Sequence, residues 1–211
     1  MHTLLLITIP KLPSPLSINC MTTRVFQASQ EFKNIDFSED KFPTGDYEDC
    51  VFSGCTITNC YLKGSNFGDC EFVDCDLSMV NLTGVTIRDI RFKGCKMLGV
   101  KFESCNKLLF SVQFEQCQLD FSSFHSLPLA NTGFIECRLL EVDFTGADLK
   151  GAIFHQSDLS GAVFLQSNLE KSDFRTAFHF SIDPELNRMK KARFSLQGAG
   201  GLLGKYDLEL D

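Results

Sequence analysis

A large apolar residue recurs at every fifth position over most of this chain. The series runs from Phe37 to Phe102 without a gap, shifts by two residues, and resumes from Leu109 to Phe174. An amphipathic helix would need a period of 3.6 residues and a flat strand a period of 2, so neither element fits the pattern. A fixed short period instead indicates an internal repeat, whose units bury their apolar residues by stacking on one another.

A second position in each unit is restricted to small or slim residues. It lies two residues before the large apolar centre and is occupied, for example, by Cys50, Cys55, Ser65, Val80 and Ala147. The other three positions are mostly Asp, Asn, Ser, Thr, Lys or Gly. Two inward and three outward residues in every five predict a square coil, in which each unit forms one side and a turn follows each side.

The units resemble those of the pentapeptide-repeat family. Segments 147–151 (ADLKG) and 157–161 (SDLSG) are similar to the family consensus, and the resemblance covers residues 31–195. It implies an all-β fold, a right-handed quadrilateral β-helix with four units in each coil.

A coil of four units makes residues twenty positions apart lie above one another. Allowing for the two-residue shift, one such column contains only phenylalanine: Phe32, Phe52, Phe72, Phe92, Phe114, Phe134, Phe154, Phe174, Phe194. The neighbouring columns mix Leu, Phe, Ile and Met. A column of phenylalanine on one side supports the twenty-residue coil independently of the resemblance, with coils spaced by about 4.8 Å.

We expect three regions along the chain. Residues 1–30 form a disordered or irregular N-terminal segment, residues 31–195 form the β-helix, and residues 196–211 form a C-terminal tail. The two surplus residues at the shift must point outward because the inner square is full. They predict a small bulge near Cys105 to Leu108.

The repeat weakens after Phe174. His179 takes a centre position, and Asp183-Pro184-Glu185 predicts the start of a short helix that ends near Lys191. Apolar and charged residues alternate in the tail, which predicts an extended strand. Because a solenoid needs its open apolar end covered, we expect the tail to be a cap and a dimer interface. The residues that would serve this role are Leu202, Leu203, Tyr206, Leu208 and Leu210.

Ten cysteines raise the question of metal or disulfide chemistry. Nine of them fall in the small-residue phase, where a free cysteine acts as a small buried hydrophobe. Zinc would need four ligands that converge on one point, whereas these side chains point inward on different sides. No group of residues suggests a nucleophile, a general base or a phosphate loop. We therefore predict no catalytic, metal or cofactor site, no small-molecule substrate, and a binding protein instead of an enzyme.

Charge alternates along the chain. Acidic residues dominate from Glu31 to Val80 and from Ser111 to Phe174, and basic residues dominate from Arg88 to Lys107 and near Arg193. The formal net charge of −7 argues against direct nucleic-acid binding, and no apolar run approaches the roughly 18 residues of a membrane span.

Two interpretations of the acidic stretches stay open. They are either a solvated surface or a surface that imitates duplex DNA, whose phosphate charges repeat every ~1.7 Å. The candidate partner-binding surface consists of Asp69, Glu71, Asp74, Asp76, Glu136, Glu141, Asp143, Asp148 and Asp158.

Whole-chain pentapeptide-repeat proteins include the Qnr-type quinolone-resistance proteins and the immunity proteins against albicidin and microcin B17. Segments 96–100 (KMLGV), 181–187 (SIDPELN) and 191–195 (KARFS) are similar to the immunity group, and the chain lacks the long projecting loops of the Qnr type. The resemblance implies a cytoplasmic homodimer that binds a type II topoisomerase (DNA gyrase or topoisomerase IV), mimics DNA and protects the enzyme from topoisomerase poisons. The alternative is a protein-binding scaffold with no topoisomerase role.

Overall fold

The computed structural model describes residues 24–38, 42–206 and 208. Short strands separated by turns form a single parallel β-solenoid, and three short 3₁₀-helices are the helical elements of these residues. The strands are β1 (Val25–Ala28), β2 (Glu31–Lys33), β3 (Gly45–Glu48), β4 (Val51–Ser53), β5 (Asn66–Gly68), β6 (Glu71–Val73), β7 (Thr86–Arg88), β8 (Ile90–Lys93), β9 (Val112–Glu115), β10 (Gly133–Ile135) and β11 (Ile153–His155); the 3₁₀-helices are η1 (Phe102–Ser104), η2 (Gln197–Leu202) and η3 (Gly204–Tyr206).

The coils stack in parallel with a register of twenty residues. Phe52 pairs with Phe72, and Thr56 with Asp76. Across the insertion the register becomes 22, so that Phe92 pairs with Phe114. The predicted twenty-residue coil and the β-helix fold are thereby confirmed.

Each coil has four sides, which we number from the phenylalanine column. Side 1 is the seven-stranded sheet β2-β4-β6-β8-β9-β10-β11, and side 4 begins with the four-stranded sheet β1-β3-β5-β7. Sides 2 and 3 are joined by isolated parallel bridges, such as Asp76 to Lys96 and Asp143 to Val163. The corners require positive φ angles, which Asn and Asp tolerate without a glycine, as at Asp69 (φ 52°) and Asn131 (φ 60°).

The nine phenylalanines of side 1 form one continuous stack. Successive ring centroids lie 4.6–5.3 Å apart with nearly parallel planes. A second stack occupies side 3 of the C-terminal half, through Phe102, Phe124, Phe144 and Phe164. Rings of the two stacks meet edge to face, as Phe134 and Phe144 do at 5.6 Å. Such offset geometries are the favourable ones for aromatic pairs.

The small inward residues form hydrogen bonds between coils as well as filling space. The Cys75 thiol donates to the Phe52 carbonyl, and the Ser167 hydroxyl donates to the Phe144 carbonyl, in each case 23 residues earlier. The same contact recurs at Cys55, Cys60, Cys70, Cys95, Cys117, Ser122 and Ser157. These bonds link consecutive coils through buried carbonyl groups.

The bulge lies slightly later than predicted. Cys105 is still buried and Asn106 still pairs with Thr86, whereas Lys107, Leu108 and Leu109 are exposed. Assigning Leu109 to the core was wrong: this residue lies at a corner with φ 64°, and Phe110 points inward in its place.

At the C-terminal end, too, the residue after the expected centre points inward in its place. His179 is exposed at a corner with φ 58°, and Phe180 is buried against Phe174 and Phe194. The predicted helix from Asp183 to Lys191 is also wrong. The chain forms a turn there, in which Asp183 accepts a hydrogen bond from the Glu185 amide, and Arg188 then pairs with Asn168.

The solenoid begins earlier than predicted. β1 and the residues that follow it belong to the coil, although they fall in the segment expected to be irregular. Residues 1–23 of that segment lie outside the described residues. Within the described part of the chain, no helix is long and apolar enough to cross a membrane.

Candidate partner-binding surface

The nine carboxylates of the candidate surface are distributed over all four sides of the solenoid. Side 1 and its two corners carry Asp69, Glu71, Asp74 and Glu136; side 2 carries Asp76 and Asp158; the next corner carries Glu141; and sides 3 and 4 carry Asp143 and Asp148. The fold brings together Asp69, Glu71, Asp74 and Asp76, which follow one coil around side 1. It does not bring all nine onto one side.

Several of these carboxylates have partners in the same molecule. Asp69 contacts Arg88 at 3.2 Å and Asp76 contacts Lys96 at 3.4 Å, each one coil away. Burial opposes ionisation of Asp158, but hydrogen bonds from Ser160 and His179 outweigh it and lower the pKa of this carboxyl group. The negative charge of these three side chains is therefore partly compensated within the molecule.

Charge is arranged in bands along the axis. Residues 42–80 carry seven carboxylates and one lysine, and residues 88–107 then reverse this balance. A second acidic band covers residues 115–170, and the last coil carries Arg188, Lys190, Lys191 and Arg193. Exposed charges further apart than about 8–10 Å are screened at physiological salt, so a partner would meet each band separately.

One carboxylate that the sequence does not single out is completely buried. Asp120 lies on side 2 at an outward position, where its carboxylate accepts hydrogen bonds from the Arg138 guanidinium and, at 3.3 Å, from the Leu140 amide. Phe121, beside it, is 57% exposed. Nothing in the repeat distinguishes Asp120 from exposed acids at equivalent positions, because its burial depends on neighbours one coil away.

The cysteines of the described residues lie separately in the core and are not gathered into a metal-binding cluster. All nine described cysteines are buried as free thiols, and the described residues contain no cluster of three or more His, Cys, Asp or Glu able to hold a metal ion. Burial raises the pKa of Cys70 and of Cys105 to about 12. These thiols stay protonated and make poor nucleophiles at neutral pH.

The tail closes the C-terminal end of the solenoid. Phe180 covers the last coil, and η2 lies against it through glycines: a side chain at Gly201 would overlap the Phe180 ring and carbonyl. The Ile182 amide donates to the Gly201 carbonyl at 2.9 Å. A groove of about 310 Å³ separates η2 from the last coil, with His179 as the one titratable residue of its lining.

The predicted tail residues lie in or near this cap. Leu202 packs against the core from η2, Leu203 follows it, and the Tyr206 hydroxyl lies 3.2 Å from a Glu185 carboxylate oxygen at the end of η3. The predicted extended strand is wrong for Tyr206, which is helical; Leu208 is exposed, and Leu210 lies outside the described residues.

Comparison with known proteins identifies the repeat. The family profile described as "Pentapeptide repeat region" matches residues 26–102 and 65–134, and the profile "Pentapeptide repeats (8 copies)" matches residues 136–175. A search of curated protein sequences found no significant match.

Two solved structures illustrate the likeness of fold. One is QnrB1, a plasmid-mediated fluoroquinolone resistance protein, at 16% identity and a TM-score of 0.50, over 88% of this chain and 99% of that one. The other is HetL of the cyanobacterium Nostoc, a pentapeptide-repeat protein involved in heterocyst differentiation regulation, at 15% identity and a TM-score of 0.56, over 83% and 90%. Such proteins are generally structural or binding proteins. The two profile matches, together with the five-residue period and the square coil, show that the chain belongs to the pentapeptide-repeat family.

Proposed function

We propose that this protein binds DNA gyrase or topoisomerase IV through its acidic coils, in place of duplex DNA, and protects the enzyme from topoisomerase poisons in the cytoplasm. The observation that carries the proposal is the succession of Asp69, Glu71, Asp74 and Asp76 around one rigid coil, within a band of seven carboxylates. Because the coils stack at about 4.8 Å, such a band presents closely spaced anionic charge without flexible loops.

The geometry of this band favours binding to an enzyme whose substrate is duplex DNA. Glu71 and Asp74 form no ion pair within the described residues, so their charge is available to a cationic groove. Ordered carboxylates on a rigid surface lose little entropy on binding, which supports affinity. The fold likeness to a fluoroquinolone resistance protein agrees with this function but, at 16% identity, concerns the fold alone.

The deciding measurement is a gyrase supercoiling assay with the purified protein, with and without a poison. We expect micromolar protein to inhibit supercoiling or to relieve the poison. The variant E71Q/D74N/D76N, which removes three negative charges while keeping side-chain shape, should lose at least tenfold in potency. The control variant K63Q/K101Q/K150Q removes three positive charges and should keep or increase potency.

A protein-binding scaffold without a topoisomerase role is the second candidate. The distribution of the nine carboxylates over four sides favours it, because no single side presents a continuous acidic face. If the unmodified protein neither inhibits nor protects gyrase and topoisomerase IV at micromolar concentration, the scaffold function replaces the first proposal.

A further inference from the structure

One corner of the solenoid carries bulky apolar residues where the other corners do not. Met79 and Phe121 lie at the corner between sides 2 and 3, with φ angles of 57° and 59°. This left-handed conformation is unfavourable for a large side chain that cannot bond to its own backbone. In the described part of the chain, the other positions with positive φ are glycine, polar or charged residues, apart from Leu109 in the bulge. Two strained apolar residues on one corner do not follow from the repeat and point to a function.

The two residues occupy the same corner, two coil steps apart. The Met79 amide donates to the Leu98 carbonyl at 2.9 Å, and the Phe121 amide donates to the Leu140 carbonyl at 2.8 Å. The step between them is Gly99, where an added side chain would meet the Met79 sulfur atom at 2.7 Å. The Met79 side chain thus extends along the corner towards Phe121, whose backbone lies about 10 Å away.

Together with two leucines of side 2, these residues form an apolar ridge, which we define as Met79, Leu98, Phe121 and Leu140. Met79 and Phe121 are 60% and 57% exposed, whereas the two leucines are half-buried at outward positions. Asp120 lies between the leucines and is fully buried, so its charge does not interrupt the ridge. Apolar surface that projects into water in this way is typical of a protein-binding site, in which a few large side chains carry most of the affinity.

The charges that border the ridge are largely balanced. On side 2, the Lys96 ammonium group lies 3.4 Å from an Asp76 carboxylate oxygen, and Arg138 is paired with the buried carboxylate beneath the ridge. Lys101 on side 3 and Glu141 at the next step of the corner have opposite charges. Because a corner is convex, the surface that fits this ridge is an apolar pocket and not a strongly charged groove.

The ridge begins where the acidic coil of the proposed function ends. Asp76 is the last carboxylate of that coil, and Met79 follows it by three residues, or about 10 Å of extended chain. The carboxylates imitate the charge of duplex DNA, which any DNA-binding groove attracts. An apolar contact has no counterpart in the phosphate backbone and therefore distinguishes one DNA-binding enzyme from another.

From this arrangement we infer that the apolar ridge is a second contact for the type II topoisomerase, in which Met79 and Phe121 enter an apolar pocket beside the DNA-binding groove. The acidic coil then supplies attraction that salt weakens, and the ridge supplies affinity that salt does not screen. The inference rests on the proposed function, because it names a further surface for the same partner.

Asparagine substitutions test the ridge without straining the fold, because asparagine tolerates a positive φ better than a bulky apolar residue does. M79N/F121N should keep the circular dichroism spectrum and the thermal unfolding midpoint of the unmodified protein, or raise the midpoint. It should bind purified gyrase holoenzyme or topoisomerase IV at least tenfold more weakly in surface plasmon resonance. M79N alone and F121N alone should each weaken binding several-fold, so the test does not depend on the double variant.

The dependence of binding on salt separates the ridge from the acidic coil. Over about 50–200 mM salt, M79N/F121N should keep the slope of log K against log salt concentration, because no charge is removed. E71Q/D74N/D76N should reduce this slope. The matched control L108S/L109N removes two leucines of the bulge that are 72% and 64% exposed, and it should bind as the unmodified protein does.

Failure of this inference differs from failure of the proposed function. If M79N/F121N binds as tightly as the unmodified protein while E71Q/D74N/D76N binds more weakly, the acidic coil alone carries binding and the ridge is not a contact. The inference is equally overturned if L108S/L109N weakens binding as much as M79N/F121N does. If the unmodified protein binds neither gyrase nor topoisomerase IV at micromolar concentration, the proposed function and this inference are both overturned.

Discussion

The two halves of the solenoid fill the same square coil in different ways. In the N-terminal half, the coil of Phe72 has one phenylalanine, with Cys70, Cys75, Val80 and Val85 at its small positions. In the C-terminal half, the coil of Phe154 has a second phenylalanine, Phe164, and its small positions are Ala152, Ser157, Ala162 and Ser167. Larger centres are thus offset by smaller neighbours, as an interior of constant packing density requires.

In the N-terminal half, the small residues fill the space between the large centres less completely. A small apolar cavity of about 20 Å³ lies inside it, lined by Leu77, Leu82 and Ile87 among others. Side 3 carries Leu62 and Leu82 beside this cavity, whereas in the C-terminal half the rings of sides 1 and 3 meet edge to face. We therefore expect the two halves to respond differently to the same kind of substitution.

The largest difference should come from removing a ring. Phe134 is fully buried and contacts four other rings, so Phe134→Ala should lower the free energy of unfolding by about 3–5 kcal/mol. Phe72 contacts three rings beside the cavity, so Phe72→Ala should cost less. Urea unfolding of both variants measures the difference, and equal losses would contradict it.

High pH should destabilise the protein through its thiols. Burial raises the pKa of Cys70 and Cys105 to about 12 from an ordinary value of 9.0. Between these values the unfolded chain releases protons that the folded chain retains, so stability is complete below about pH 9 and falls as the pH rises. Each thiol contributes about 1.4 kcal/mol per pH unit. Unfolding midpoints from pH 7.5 to 10.5 should fall less steeply in C70S/C105S; an unchanged slope would contradict the assignment.

Added volume should be tolerated in one half only. Leu82→Phe extends a ring into the cavity, so we expect it to change stability by about 1 kcal/mol or less. Leu159→Phe enters a fully packed coil and should cost about 1–3 kcal/mol. Thermal unfolding of the two variants compares them, and the opposite order would show that the cavity is not the softer site.

Loss of a buried hydroxyl should have the smallest effect. Ser167→Ala removes the hydrogen bond to the Phe144 carbonyl and should cost about 1 kcal/mol. Ser181→Ala, which removes an exposed hydroxyl, should change stability by less than about 0.5 kcal/mol. If urea midpoints of the two variants coincide, the hydroxyl contributes packing and not a bond.

The five-residue period predicts the coil, its four sides and the phenylalanine column, because each depends on spacing alone. The departures occur where spacing is interrupted. Leu109 and His179 both continue the count, yet both lie at a corner with positive φ, and the following phenylalanine is buried. A count along the chain cannot decide which of two adjacent residues turns inward, since the outcome depends on contacts with the neighbouring coil.

The surface was less predictable than the core for the same reason. Asp183-Pro184-Glu185 has the local signals of a helix start, but pairing of Arg188 with Asn168 in the preceding coil prevails. Burial of Asp120 depends on Arg138, 18 residues away in sequence and adjacent in space. The acidic residues are evident in the sequence. The side of the solenoid on which each one lies follows only from its position within its five-residue unit.

The twenty-residue register places equivalent side chains at regular distances along the axis of the solenoid. Side chains of one column are spaced by a fixed interval of about 4.8 Å. The distance between two charged bands that bind the same partner is therefore a whole number of coil spacings. Deleting or duplicating one coil would move a band by one step while leaving its side unchanged. A lineage of such chains can therefore adjust the distance between binding features independently of their direction, which few globular folds allow.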